Sequence, residues 1–175
     1  MSTTTADRRT ARTARNMIGA LLILLVPMIT WAVLNRPSGQ HAVQVVDTRP
    51  DIREAKAQAR FPVLAPEGLS TRWRPTSSRV IRDGDRRVVF RIGYVTPAGR
   101  WAGLVEGDTP SLLDDEIGPD RKPTGSLDVA GTRWTRYPGR RDGEQALVRT
   151  GGGATYLVTG SAKLDELQKL AQALR

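Results

Sequence analysis

Eighteen consecutive residues without a charge, Met17–Leu34 (MIGALLILLVPMITWAVL), constrain this chain more than any other feature. A helix rising about 1.5 Å per residue makes that run about 27 Å long, close to the hydrocarbon thickness of a bilayer. The run has no polar face, so it would have no wet side at a protein surface, and a transmembrane helix over 17–34 is expected instead of a core helix. Pro27 is tolerated in a membrane helix, and the indole of Trp31 suits the interface near the outer end. Arg8, Arg9, Arg12 and Arg15 precede the run, and only Arg36 follows it closely. The bias of basic residues toward the cytoplasm then places the N-terminus inside and everything beyond residue 34 outside, as in a single-pass protein of the cell membrane. A cleaved signal peptide would have an apolar region of about 7–15 residues ending in a small-x-small site. This run is longer, and Thr30-Trp31-Ala32 has a bulky residue in its middle. The expected organisation is a basic cytoplasmic tail (1–16), a transmembrane helix (17–34), a linker (35–47) and one extracytoplasmic domain (48–175).

Several function classes are excluded or disfavoured by what the chain contains. The net charge is +9, and residues 37–175 hold 22 basic and 17 acidic residues, a mildly basic and well-mixed set. Nucleic-acid binders concentrate their charge on one face or stripe. The nearest approach, Arg133, Arg136, Arg140 and Arg141, is diluted by Asp142 and Glu144 and reads as a solvated hairpin end, so no nucleic-acid partner is expected. There is no cysteine, which excludes disulfides, thiolate metal sites and a cysteine-linked lipid anchor. His41 is the only histidine and lies in the linker, where it cannot build a triad or a histidine metal site. Asp108, Asp114, Asp115, Glu116 and Asp120 lack the alternating spacing and central glycine of a calcium loop. Gly151-Gly152-Gly153 leads into a strand, whereas a phosphate loop leads into a helix. There is no G-x-S-x-G elbow, and Ser161 near Lys163 reads as a helix cap, not a nucleophile beside its base. No catalytic residue, cofactor or metal is expected.

The domain reads as α+β. Thr48–Phe61 is an expected helix, with Thr48 as cap, Pro50 in the first turn and Ile52, Ala55 and Ala59 as a narrow apolar stripe. Two prolines force Phe61–Pro66 to be extended. Ser77–Ile81 and Arg87–Val95 flank Asp83-Gly84, a hairpin signal. Within the second of these runs Val88, Phe90, Ile92 and Tyr94 share one face. After the turn at Thr96–Gly99, Trp101–Glu106 is a third strand. Residues 107–126 read as irregular, with a helical turn or two carrying Leu112, Leu113 and Ile117. Thr132–Tyr137, Glu144–Thr150 and Ala154–Thr159 are further strands. A C-terminal helix presents Leu164, Leu167, Leu170, Ala171 and Leu174 as one stripe. The expected fold is an antiparallel meander of five to seven strands, with a helix before it and the C-terminal helix packed on it.

Three runs carry a family resemblance: FPVLAPEGLSTRWRPTS (61–77), RIGYVTPAGRWAGL (91–104) and ALVRTGGGATYLVTGSAKLDELQKLAQAL (146–174). Together they resemble the DUF4245 family, single-pass membrane proteins of high-GC, actinobacterial-type bacteria whose function is not established. The resemblance covers nearly the whole chain. It implies the topology above and no activity, and it transfers no functional residue.

The expected function is therefore a non-catalytic binding or interaction module of the cell envelope, with an envelope protein or lipid as partner. The alternative is a lipid or small-molecule binder with an apolar pocket between the sheet and the C-terminal helix. Trp73 and Trp101, both beside turns and arginines, are the candidate binding surface should they share an exposed patch.

Overall fold

A computed structural model describes residues 44–83 and 87–175, together with Leu25. The basic tail and, Leu25 apart, the expected membrane helix over 17–34 lie outside the described residues, as do His41 and most of the linker. No helix among the described residues is long and apolar enough to cross a membrane.

Helix α1 (Arg49–Gln58) begins as expected but is capped differently. Thr48 makes no side-chain cap bond. Asp47 takes that part: its carboxylate accepts the Arg49 N–H at 3.1 Å and holds the Arg49 guanidinium as well. Ala55, wholly buried, lets the helix backbone approach the sheet.

The strands are β1 (Arg74–Asp83), β2 (Arg87–Val95), β3 (Trp101–Gly107), β4 (Gly125–Val129), β5 (Thr132–Pro138), β6 (Gln145–Gly151) and β7 (Ala154–Gly160). They form one seven-stranded antiparallel sheet in the order β1-β2-β3-β7-β6-β5-β4. The fold is α+β as expected, but the sheet is not a simple meander. Two meanders, β1–β3 and β4–β7, meet where β3 pairs with β7. The reason lies in burial: β3 and β7 are the strands buried along nearly their whole length, so they take the centre. The chain must then cross to the far edge between them, and it does so through residues 108–124, which carry α2 (Leu112–Ile117).

β4 falls within and just beyond the stretch read as irregular. Only Val129 is buried in it and Leu127 half-buried, so it has no alternating pattern to announce it. Its turn into β5 uses Ala130 and Gly131, both at positive φ, a two-residue hairpin without the usual Asn-Gly or Asp-Gly signature.

The sheet is covered on both faces. On the first face Val88, Phe90, Ile92 and Tyr94 of β2, with buried residues from β3 to β7 and the partly buried Val80 of β1, meet Ala55, Phe61 and Val63 and the stripe Leu167, Leu170, Ala171 and Leu174. This stripe belongs to α3 (Leu164–Gln172). On the second face Val89, Val105, Ala146, Val148 and Leu157 meet Leu112 and Ile117 of α2. Burying each leucine of the α3 stripe is worth about 1.5–3 kcal/mol. Ser161 does not cap α3. The N-cap is Lys163, and the Ser161 hydroxyl instead accepts the Trp101 N–H at 3.3 Å while Ala162 N–H donates to the Trp101 carbonyl at 3.0 Å. Residues 160–162 thus prolong the pairing of β7 with β3.

At that junction Gly160 faces Ala102, and a Cβ on Gly160 would run into the Trp101 carbonyl, 2.9 Å from Ala102 Cα. Backbone cannot yield there as a flexible side chain can. Gly160→Ala should destabilise the fold by about 2–3 kcal/mol, read as a lowered urea midpoint at unchanged slope.

Candidate functional site

Two arrangements carry the unusual chemistry. The first is a row of side chains on the first face. Phe90, Glu106 and Tyr156 are cross-strand neighbours on β2, β3 and β7, and Arg149 follows on β6. The Arg149 guanidinium lies 4.8 Å from the Tyr156 ring centroid and 5.8 Å from that of Trp134, a cation–π arrangement. Glu106 is 0% exposed. One carboxyl oxygen accepts the Leu64 N–H at 2.9 Å, and Tyr156 donates its hydroxyl to the Pro62 carbonyl at 2.7 Å. The other oxygen, Oε1, has no partner among the described residues. Burial pushes the Glu106 carboxyl up to about 8, against the opposing pull of the Leu64 N–H, Arg149 and Lys56. Burial, with Glu106 beside it, also raises the Tyr156 hydroxyl. Burial thus favours the protonated, neutral form of Glu106, which is sealed beneath the strap Phe61–Pro66 and engaged in holding it. The strap is held at its far end too: Ala65 and Arg175 exchange backbone hydrogen bonds of 3.0 and 3.2 Å, and Glu67 N–H donates to the Ala173 carbonyl.

A second buried acid does similar work. Glu166 of α3 accepts the Thr96 hydroxyl at 2.9 Å and the Ala98 N–H at 3.2 Å, fastening the Thr96–Gly99 turn to the helix. Neither acid was legible as special in the sequence. The one available signal for Glu106 was a charge on the apolar run Ala102–Gly107.

The second arrangement is a groove of about 350 Å³ on the second face, beyond the cover of α2. Trp101 forms one wall and is 42% exposed. Arg91, Arg140 and Arg141 line it together with Asp115, Glu116 and Glu144. Arg91 pairs with Glu116, Arg141 lies 3.7 Å from Glu144, and Arg140 donates to the Asp115 carbonyl. Ile81, opposite Val89 in register and 40% exposed, lies on the same face.

Of the two tryptophans singled out by sequence, only Trp101 is in this groove. Trp73 is 7% exposed and packs edge-on to Tyr94 with centroids 6.0 Å apart, in the core of the opposite face. What little of it is open borders a separate cleft of about 410 Å³ with Leu69 and Lys169. The two therefore share no patch. The four arginines of the β5–β6 region are likewise divided: Arg133 bonds Ser126 and Arg136 bonds Gln145, while only Arg140 and Arg141 reach the groove. Of the five acidic residues of 108–120, three have separate partners: Asp108 accepts the Val88 N–H, Asp115 the Ser111 hydroxyl, and Glu116 pairs with Arg91. Under α3, Leu167 and Leu170 are wholly buried and pack against the sheet.

Fold and sites together define a small α+β domain, one antiparallel sheet clad by helices, whose titratable oddities are structural clasps and whose open chemistry is a groove beside an indole. A family model described as a protein of unknown function (DUF4245) matches residues 9–174, and the chain belongs to that family. No curated protein matches it.

The Glu106 clasp dictates a pH response. Its folded pKa, about 8, stands above the ordinary 4.5, so between those values the folded state holds a proton that the unfolded state has released. The contribution is fully present below about 4.5 and is lost as pH rises through about 8, for a total of roughly a few kcal/mol. Glu106→Gln, which keeps an acceptor for Leu64 N–H without an ionisable group, should flatten the fall in urea midpoint between pH 5 and 9.

Proposed function

We propose that this chain is a single-pass, membrane-anchored domain displayed outside the cytoplasm, and that it works by binding, without catalysis, in the cell envelope. The observation that carries the binding reading is Trp101: a large aromatic left 42% open on a sheet face, beside arginines and a groove. Aromatic and arginine side chains in such settings supply most of the energy of recognition. Catalysis finds less support. The one strongly shifted carboxyl among the described residues, Glu106, would have to meet a substrate, and it is wholly buried and already holds Leu64. The anchor rests on the uncharged run 17–34 and its arginine-rich lead. A linker as short as 35–47 would keep the domain within a few nanometres of the bilayer.

Reporters fused after Arg175 test the topology. A reporter active only outside the cytoplasm should work, with the fusion at full size in the membrane fraction. Activity of a reporter that works only inside would overturn the reading.

A further inference from the structure

The groove beside Trp101 has a chemistry that narrows its ligand. The indole lies along the sheet because Gly103 makes room for it. A Cβ on Gly103 would stand 2.9 Å from Trp101 Cζ2, whereas one on Gly93 would crowd Ser77 Oγ and only touch Nε1, at 3.4 Å. The six-membered ring therefore lies over Gly103 of β3 with Nε1 toward Gly93 of β2, and 42% of the residue stays open. Beside it stand three guanidinium groups and three carboxylates. Two pairs match charge to charge, Arg91–Glu116 and Arg141–Glu144, and Arg140 bonds the Asp115 backbone beside the third carboxylate, so the formal charges lining the groove cancel. A balanced groove gives little attraction to a polyanion or a polycation: nucleic acid needs an excess of cations along its path, and a strongly acidic or basic peptide needs the opposite charge. What remains is an uncharged ligand with one apolar flat face and a rim of groups that both donate and accept. A volume of about 350 Å³ is at the small end of ligand sites.

We infer that this groove is a saccharide-binding site for an uncharged glycan. Trp101 stacks on the C–H face of a sugar ring, and the carboxylates and guanidinium groups of the groove accept from and donate to its hydroxyls. The inference rests on the binding reading above and names the ligand class for it.

The full-length chain in detergent is applied to an array of neutral oligosaccharides (gluco-, galacto-, manno-, arabino- and chito-series). Heparin and a poly-glutamate peptide are the charged probes. At least one neutral series should bind, with an affinity that changes less than about twofold between 50 and 500 mM salt, because no charge is released. Trp101→Ala should weaken binding by about tenfold or more while the variant still unfolds in one cooperative transition. Trp101→Phe, which keeps a ring, should lose less. Absence of binding to every neutral series, binding that survives Trp101→Ala, or binding only to heparin or poly-glutamate with a steep salt dependence would each overturn the assignment. The topology reporters fail or succeed separately: an outside reporter with no glycan binding removes only the ligand class, and an inside reporter with glycan binding removes only the location.

Discussion

Pairing between β3 and β7 holds the domain together, because it joins two meanders that would otherwise be separate small sheets. Each strand is buried on both faces, so the junction lies between two hydrophobic layers and neither layer closes without it. The close approach of Gly160 to Ala102 and the extension of the pairing through Ser161 and Ala162 follow from that position. The long crossing through 108–124 follows as well: a chain that places its last strand at the centre must first travel to the far edge. On the way it lays Leu112 and Ile117 over the second face.

The non-sheet parts are fastened by two buried carboxyl groups, and the two work in different electrostatic settings. Glu166 meets a hydroxyl and an N–H. Glu106 meets a single N–H and keeps its proton, since burial without a second donor disfavours the charged form more than a nearby arginine can offset. Both acids serve to fix segments whose own sequence has little to bury: the proline-flanked strap and a four-residue turn.

Periodicity made much of this fold legible. The alternation Val88, Phe90, Ile92, Tyr94 and the 3–4 spacing of Leu167, Leu170, Ala171 and Leu174 each state one face of one element, and the structure buries those faces. Strand order was not legible, since an antiparallel neighbour is chosen by burial across the whole sheet and not by the spacing within one strand. β4 was missed because its five residues are mostly exposed. Caps were misread at both helices: Thr48 and Ser161 have the right chemistry for capping, but a neighbouring aspartate and the Trp101 N–H claimed those places. For the candidate site, composition pointed to the aromatics but could not tell Trp73, folded under against Tyr94, from Trp101, laid over Gly103 and left partly open.

The Glu106 clasp also shares in how the domain would carry mechanical load. Trp101 and Glu106 belong to the same strand, and Glu106 grips Leu64, which lies on the side of the chain nearer residue 44. A pull on the strap is shared: the Glu106 carboxyl and the Tyr156 hydroxyl hold its middle, and the Ala65–Arg175 backbone bonds hold its end. A pull at residue 44 meets β1 first, through the Val46 N–H on the Pro75 carbonyl and Arg82 on Glu54 and Gln58 of α1. Tension applied there thus loads the edge strand of the sheet before it reaches the buried carboxyl.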